Sequence, residues 1–163
     1  MRSLGLDPLK TENPSKRYGF VVDLKPDNIP ANIIPGLHIG SQDCADEGTA
    51  EKYKFTHILS IGVDSFTNLD KKFVPCLDLP ETCITEVLRE ACAYIGSAHS
   101  NEGSVLVHCN AGVSRSAMVV IGYLILEKNY SFKDAYDLVK RKRPSIQPNA
   151  GFLKQLKSLG TGH

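Results

Sequence analysis

The sequence contains no tryptophan, no Gly-Lys-Ser or Gly-Lys-Thr tripeptide and no long uninterrupted hydrophobic run. The missing tripeptide excludes a Walker-type loop for nucleoside triphosphates. The longest apolar run, residues 117–126, is too short to span a bilayer. A net charge of +1 gives no general attraction to nucleic acid or to a membrane surface. We therefore expect neither as a partner, and any attraction to an anion must be local.

Cysteine is present but in no arrangement typical of a disulfide framework or a metal site. The chain has five cysteines, Cys44, Cys76, Cys83, Cys92 and Cys109. Their number is odd and their spacing matches no metal-ligand pattern. We expect a protein without metal or cofactor. Free thiols persist in reducing compartments. We therefore expect a cytoplasmic protein, with the nucleus as a second reducing location.

The length and the distribution of proline predict one folded domain behind an N-terminal arm. A chain of 163 residues suffices for one full hydrophobic core. Five of the nine prolines fall within residues 1–35. We predict an extended or partly disordered arm over 1–27, in which segment 19–24 (Gly-Phe-Val-Val-Asp-Leu) could pack on the domain as a strand, and a folded domain over 28–160.

Hydrophobic periodicity predicts alternating strands and helices along the domain. Strands are predicted at 37–40, 56–62, 73–79 and 104–108, and Pro75 places the third near a sheet edge. Helices are predicted at 45–54, 84–99, 116–128 and 132–142, and a last one carries Phe152, Leu153, Leu156 and Leu159. This alternation indicates an α/β fold with a central, mostly parallel, twisted sheet flanked by helices on both faces. Ligands of such folds bind beyond the carboxyl ends of the strands.

The stretch most informative about chemistry is residues 105–116, Val-Leu-Val-His-Cys-Asn-Ala-Gly-Val-Ser-Arg-Ser. A predicted strand leads into Cys109, and Arg115 follows six positions later at the start of a predicted helix. Gly112 allows the loop to close without an intruding side chain. Backbone N–H groups that curl inward, the helix dipole and a guanidinium would stabilise a thiolate and then bind a phosphate. The predicted phosphate-binding residues are Asn110, Ala111, Gly112, Val113, Ser114 and Arg115.

Three features of the sequence also have ordinary structural explanations. His108 precedes the thiol, and its expected task is to hold the loop by hydrogen bonds rather than to titrate. A single cysteine is most often a small core side chain, but the strand before Cys109 and the helix after it favour a functional loop. Residues 140–143, Lys-Arg-Lys-Arg, could recognise acidic residues near a phosphosite, although such a run at a helix C-terminus is more often a solvated face.

The pattern His-Cys-x-x-Gly-x-x-Arg-Ser resembles the signature of the cysteine-dependent phosphatases. Segments 135–139 and 143–152 resemble the C-terminal pattern of the dual-specificity phosphatases. Segments 39–43 and 77–82 are similar to the small atypical members of that family. The resemblance covers residues 18–159 and implies a protein tyrosine phosphatase-like fold.

The resemblance also implies roles for individual residues. Cys109 would be the nucleophile that forms a phosphocysteine intermediate, and Arg115 would bind the phosphoryl oxygens. Asp78 matches the general acid, and protonation of a leaving oxygen is worth typically about 10²–10⁴ in rate. Ser116 matches the hydroxyl that stabilises the departing thiolate, and Asn149 matches an asparagine that orients the phosphate loop.

These roles imply a protein phosphatase that acts on phosphotyrosine and on phosphoserine or phosphothreonine. Without tryptophan, the Trp-Pro-Asp loop of the tyrosine-specific subgroup cannot be present. Residues 110–114 contain no lysine, which disfavours a phosphoinositide substrate. The resemblance suggests phosphoprotein substrates in mitogen- or stress-activated kinase pathways. A non-catalytic phosphoprotein-binding module and a rhodanese-type sulfurtransferase are the alternatives, and Asp78 argues against the second.

Overall fold

A computed structural model describes residues 27–65 and 67–161. The segment 19–24, expected to pack as a strand, lies outside the described residues. The described strands are β1 (Ala31–Ile34), β2 (Leu37–Gly40), β3 (His57–Ile61), β4 (Asp70–Val74) and β5 (Val105–His108). The described α-helices are α1 (Glu47–Tyr53), α2 (Ile84–Ser100), α3 (Arg115–Lys128), α4 (Phe132–Lys142) and α5 (Ala150–Thr161).

The strands form one sheet in the order β1-β2-β5-β3-β4. Strand β5 is central and runs parallel to β2 and β3, and β3 runs parallel to β4. Only the β1–β2 pair is antiparallel in the described sheet. The predicted mostly parallel sheet is therefore confirmed. Because β2, β3 and β5 end at one edge, the loops that follow them meet there.

Alternation along the central strands divides the hydrophobic core between the two faces of the sheet. Val105 and Val107 of β5 belong to the large cluster that packs against α2, α3, α4 and α5. Leu106 points to the opposite face, where it joins Ile58 and residues around α1, including Ala50. Helices thus cover both faces, as the sequence predicts.

The third strand differs from its prediction. The predicted bounds 73–79 are wrong. Strand β4 spans Asp70–Val74 and ends directly before Pro75. Proline lacks the N–H that a ladder hydrogen bond requires, so pairing stops there. The edge position of β4 is confirmed. The following residues form the loop that carries Asp78.

Strand β1 has no counterpart among the predicted strands. It lies between Pro30 and Pro35, where the density of proline hides a pairing segment of four residues. A tight turn at Gly36, with φ +81°, returns the chain into β2. A glycine fits there because a side chain disfavours positive φ. The hairpin places Asp27 and Ile29 beside the functional edge of the sheet.

Helix α3 leaves the loop after β5 and runs through the centre of the helical layer. Residues 116–125 are all buried. Such an apolar helix could suggest a membrane span, but no helix within 27–65 and 67–161 is both long and apolar enough to cross a bilayer. The burial of α3 fixes the loop before it against the core.

Candidate active site

The predicted phosphate-binding loop, residues 109–114, connects the end of β5 to the start of α3 and is called the phosphate loop. It begins at Cys109, whose side chain is buried with only 3% of its surface exposed. The Sγ atom lies 3.3 Å from Oγ of Ser116, and the amide of Ser116 donates to Sγ at 3.5 Å. The sulfur therefore sits at the N-terminal end of α3, where the helix dipole favours negative charge.

Five consecutive carbonyls of this loop accept hydrogen bonds from groups outside it. The bonds are His108 Nδ1 to Cys109 O at 3.1 Å, Gln42 N to Asn110 O at 2.8 Å, Arg143 Nη2 to Ala111 O at 2.9 Å, Arg143 Nε to Gly112 O at 3.0 Å and Gln147 N to Val113 O at 2.7 Å. A trans peptide directs its N–H opposite to its C=O, and no described peptide is cis. The amides of residues 110–114 therefore face away from these partners.

These five amides, which we call the nest, are free to donate hydrogen bonds to a ligand. Within residues 27–65 and 67–161, none of them donates a hydrogen bond to another protein group. Consecutive N–H groups that point into one concavity bind anionic oxygens. The sequence predicts such a nest, and the outward carbonyls supply its structural reason.

Gly112 fits the loop where a side chain would not. Its φ is +72°, and an added Cβ would lie 2.6 Å from the carbonyl oxygen of Gly40 and 2.8 Å from Nη2 of Arg143. Both positive φ and close packing therefore require glycine at this position. The close approach seats the loop on the end of β2.

His108 holds the base of the loop. It is fully buried, and its Nε2 lies 2.7 Å from Oγ of Ser60 on the neighbouring strand β3. Because Nδ1 donates to the Cys109 carbonyl, Nε2 accepts from the Ser60 hydroxyl. Burial lowers the pKa of His108 below its ordinary value of 6.5. A neutral imidazole thus connects β3 to the loop.

Arg115 reaches from the first turn of α3 toward the loops after β3 and β4. Its Nη1 donates to the carbonyl of Cys76 at 3.3 Å. The guanidinium also packs on Gly62, where an added Cβ would lie 2.4 Å from Nη1. Arg115 therefore joins the phosphate loop to the segment that carries Asp78.

Asp78 accepts two hydrogen bonds, one from the phosphate loop and one from Asn149. Its Oδ1 accepts from Ser114 Oγ at 2.7 Å and from Asn149 Nδ2 at 2.9 Å. The Ser114 hydroxyl also accepts from the amide of Asn149 at 3.1 Å. Oδ1 of Asn149 caps α5 by accepting from the amide of Phe152 at 2.9 Å. The structure thus brings together the predicted acid, the loop and Asn149.

Sequence reasoning missed three groups that support the loop, which are the side chain of Arg143 and the amides of Gln42 and Gln147. The expectation of a solvated basic run over 140–143 is wrong for Arg143, which is 7% exposed, whereas Arg141 and Lys142 are exposed. The helix of the run ends at Lys142, so Arg143 turns inward beneath the loop. Two signals separate it from its neighbours, its position directly before Pro144 and its place at the start of the segment 143–152.

All five cysteines are free thiols. Burial is the main cause that raises the pKa of Cys76 to about 11 and that of Cys92 to about 12. Within the described part of the chain, no group of three or more His, Cys, Asp or Glu side chains is arranged to hold a metal ion.

The sequence of this chain is similar to those of known phosphatases. Residues 37–161 match the family model of the dual specificity phosphatase catalytic domain. The chain is 44% identical to mouse dual specificity protein phosphatase 19 over 149 residues, which covers 88% of this chain and 68% of that protein. It is 39% identical over 135 residues to MAP kinase phosphatase with leucine-rich repeats protein 3 of Dictyostelium discoideum, across 79% of this chain and 16% of that protein.

A solved structure is similar in fold as well. The crystal structure of a mouse dual specificity phosphatase complexed with zinc tungstate superposes with a TM-score of 0.77 at 27% sequence identity. The match covers 87% of this chain and 92% of the other. The predicted phosphatase-like α/β fold is therefore confirmed.

Proposed function

This chain belongs to the dual specificity phosphatase family, and from that premise we propose that it hydrolyses phosphotyrosine and phosphoserine or phosphothreonine in proteins. The observation that carries the proposal is the nest of five amides around Cys109, with Asp78 attached to the same loop. The proposed phosphate site, nucleophile and proton donor thus lie within one hydrogen-bonded arrangement.

In the first step, Cys109 Sγ attacks the phosphorus atom of the substrate. The S–P bond forms as the bond between phosphorus and the ester oxygen breaks. The amides of residues 110–114 and the Arg115 guanidinium bind the three remaining phosphoryl oxygens. Asp78 supplies the proton that the leaving oxygen needs. The products of this step are the free hydroxyl and a phosphocysteine.

In the second step, water attacks the phosphocysteine. The Asp78 carboxylate takes a proton from this water, the new P–O bond forms and the S–P bond breaks. Negative charge returns to Sγ, where the hydroxyl of Ser116 at 3.3 Å is placed to donate a hydrogen bond to it. Inorganic phosphate leaves, and the enzyme returns to its starting state.

Tungstate is a probe for this site. The mouse phosphatase whose fold this chain shares was crystallised with zinc tungstate. Tungstate is a tetrahedral oxyanion like phosphate, and the amides of residues 110–114 offer it donors. Competitive inhibition by tungstate would support a phosphate-binding role for this loop, and the absence of inhibition would argue against it.

The substrates proposed for the chain are phosphoproteins of mitogen- or stress-activated kinase pathways. The relative from Dictyostelium discoideum is named as a MAP kinase phosphatase, although this chain spans only 16% of its length. Free cysteines support a reducing compartment, so the proposed place of action is the cytoplasm, with the nucleus as a second location. The catalytic unit proposed is the domain over residues 28–160.

The test compares hydrolysis and binding in one preparation. Phosphate release from an aryl phosphate and from doubly phosphorylated peptides is measured for the native chain and for Cys109→Ser. Cys83→Ser is the matched control, because Cys83 is exposed and lies outside the loop. We expect activity to vanish in Cys109→Ser only. Tight binding of the native chain to phosphopeptides without release would instead identify a phosphoprotein-binding module.

A further inference from the structure

The Arg143 side chain lies behind the phosphate loop, and most of its N–H donors have hydrogen-bond acceptors. It is 7% exposed, and it makes four hydrogen bonds to described residues. Nε donates to Gly112 O at 3.0 Å, and Nη2 donates to Ala111 O at 2.9 Å. Nη1 donates to Ile29 O at 3.2 Å, and Nη2 also lies 3.3 Å from Oδ2 of Asp27.

These bonds determine where two of the nest amides point. The carbonyls of Ala111 and Gly112 face the guanidinium, so the N–H groups in the same peptides, those of Gly112 and Val113, face the opposite side. That side is the one on which the proposed phosphate binds. A guanidinium has a planar fork of donors that can hold two carbonyls at once, which a lysine ammonium cannot reproduce.

The charge of Arg143 acts at the same place. A buried guanidinium behind the loop adds positive potential to the anion site, and low local dielectric strengthens this effect. The Asp27 carboxylate, 47% exposed, partly compensates that charge from the far side. Asp27 therefore weakens the field that Arg143 exerts on a bound oxyanion.

We propose that Arg143 is a positioning residue of the phosphate site, which orients the amides of Gly112 and Val113 and supplies positive potential behind them, with Asp27 as its opposing charge. Arg143 touches neither substrate nor reacting atoms. It acts through the loop backbone. The inference rests on the proposed function for its catalytic consequence, but its effect on oxyanion binding stands independently.

The first test compares Arg143→Lys with Arg141→Lys. Arg141 lies two positions away and is exposed, so both variants change arginine to lysine in one segment. Tungstate dissociation constants and kcat/KM for an aryl phosphate are measured on protein whose circular dichroism matches that of the native chain. We expect Arg143→Lys to weaken tungstate binding and to lower kcat/KM by at least tenfold each, and Arg141→Lys to change neither beyond about twofold. Native affinity and rate in folded Arg143→Lys would overturn the proposal.

A second pair keeps the proposal testable if Arg143→Lys does not fold. Asp27→Asn removes the opposing charge from a half-exposed position, and Asp43→Asn makes the same charge change at an exposed side chain nearby. We expect Asp27→Asn to tighten tungstate binding about two- to threefold at low salt and to lose this gain near 1 M salt, where the Debye length is about 3 Å. An effect no larger than that of Asp43→Asn would overturn the proposal.

The readouts separate this inference from the proposed function. If the native chain binds tungstate but releases no phosphate from any substrate, the proposed function fails, while the tungstate comparison still decides the role of Arg143. If the native chain hydrolyses substrates and both pairs behave alike, the role of Arg143 fails and the proposed function stands.

Discussion

The hydroxyl of Ser114 donates a 2.7 Å hydrogen bond to Oδ1 of Asp78, so a side chain of the phosphate loop itself holds the proposed acid. Asn149 completes the arrangement, because its Nδ2 bonds to the same oxygen and its amide bonds to the Ser114 hydroxyl. Asn149, which caps α5, and Ser114, whose amide is the last of the nest, thus both position Asp78. Three segments distant in sequence act as one unit.

Replacing Asp78 tests the acid directly. Asp78→Ala should lower kcat for an alkyl phosphate by about 10²–10⁴, the usual size of general-acid effects. Glu81→Gln, an exposed residue of the same loop, is the control and should keep the native rate. Steady-state assays with alkyl and aryl phosphates measure both variants. An Asp78→Ala variant as fast as Glu81→Gln would assign proton transfer to another group.

Removing the Ser114 hydroxyl should impair the acid without removing it. A hydrogen bond to a charged group is worth about 1.5–3 kcal/mol, so we expect Ser114→Ala to reduce kcat about 10- to 100-fold. The same change in an Asp78→Ala background should cost far less, because the two residues act together. Ser145→Ala, at an exposed position outside the loop, is the control. Additive losses in the double variant would show that Ser114 acts independently of Asp78.

Ser116 should matter most when the thiolate leaves. Its Oγ lies 3.3 Å from Sγ of Cys109, and Ser116→Ala removes this partner. We expect kcat to fall by about tenfold or more, from the value of a hydrogen bond to a charged group, with a burst of leaving group as phosphocysteine accumulates. Rapid-quench kinetics measure the burst, and Ser116→Thr should restore turnover. A Ser116→Ala enzyme that is slow but shows no burst would place the hydroxyl in the first step instead.

Burial of His108 predicts a loss of stability in mild acid. Its pKa lies below the ordinary value of 6.5 when folded, so below pH 6.5 the unfolded chain binds a proton that the folded chain does not. The free energy of unfolding is then unaffected above pH 6.5 and falls as the pH drops, by up to about 1.4 kcal/mol per pH unit. His38, whose pKa burial also lowers, contributes in the same direction.

Urea unfolding at several pH values between about 7.5 and 5.5 checks this prediction. In His108→Gln, which keeps hydrogen-bonding capacity without a titrating group, the free energy of unfolding should fall less steeply with decreasing pH. His99→Gln is the comparison, because His99 lies outside the loop and bonds to the Gly36 carbonyl. Equal slopes in the native chain and in His108→Gln would show that His108 is not the source.

Local patterns in the sequence predict most of the fold. Helix α2 is confirmed at Ile84–Ser100 against a predicted 84–99, because its apolar stripe repeats at helical spacing over many residues. Ser131 directly precedes the predicted helix 132–142 and caps α4, since its hydroxyl accepts from the amide of Asp134. By contrast β1 is four residues long between two prolines, and its pairing depends on a partner that local pattern does not reveal.

The candidate site, too, can be predicted only in part from the local sequence. The loop from Cys109 to Ser116 is contiguous, so composition and spacing reveal it. The supports of the loop come from Gln42, Arg143 and Gln147, and only the fold brings these residues to its outer side. Arg143 belongs to a basic run whose other members are exposed or half-buried, and its burial depends on where α4 ends. Such contacts follow from tertiary packing, which a single sequence does not encode locally.

The account depends on Cys109 lying at the centre of an oxyanion site, and alkylation of Cys109 with and without an oxyanion tests this most directly. Iodoacetamide modification of Cys109, located by mass spectrometry in a Cys83→Ser background, is measured between about pH 6 and 8 with and without tungstate. The account predicts that Cys109 is modified and that tungstate blocks this modification at every pH. Modification of Cys109 that proceeds equally fast with and without tungstate would contradict it.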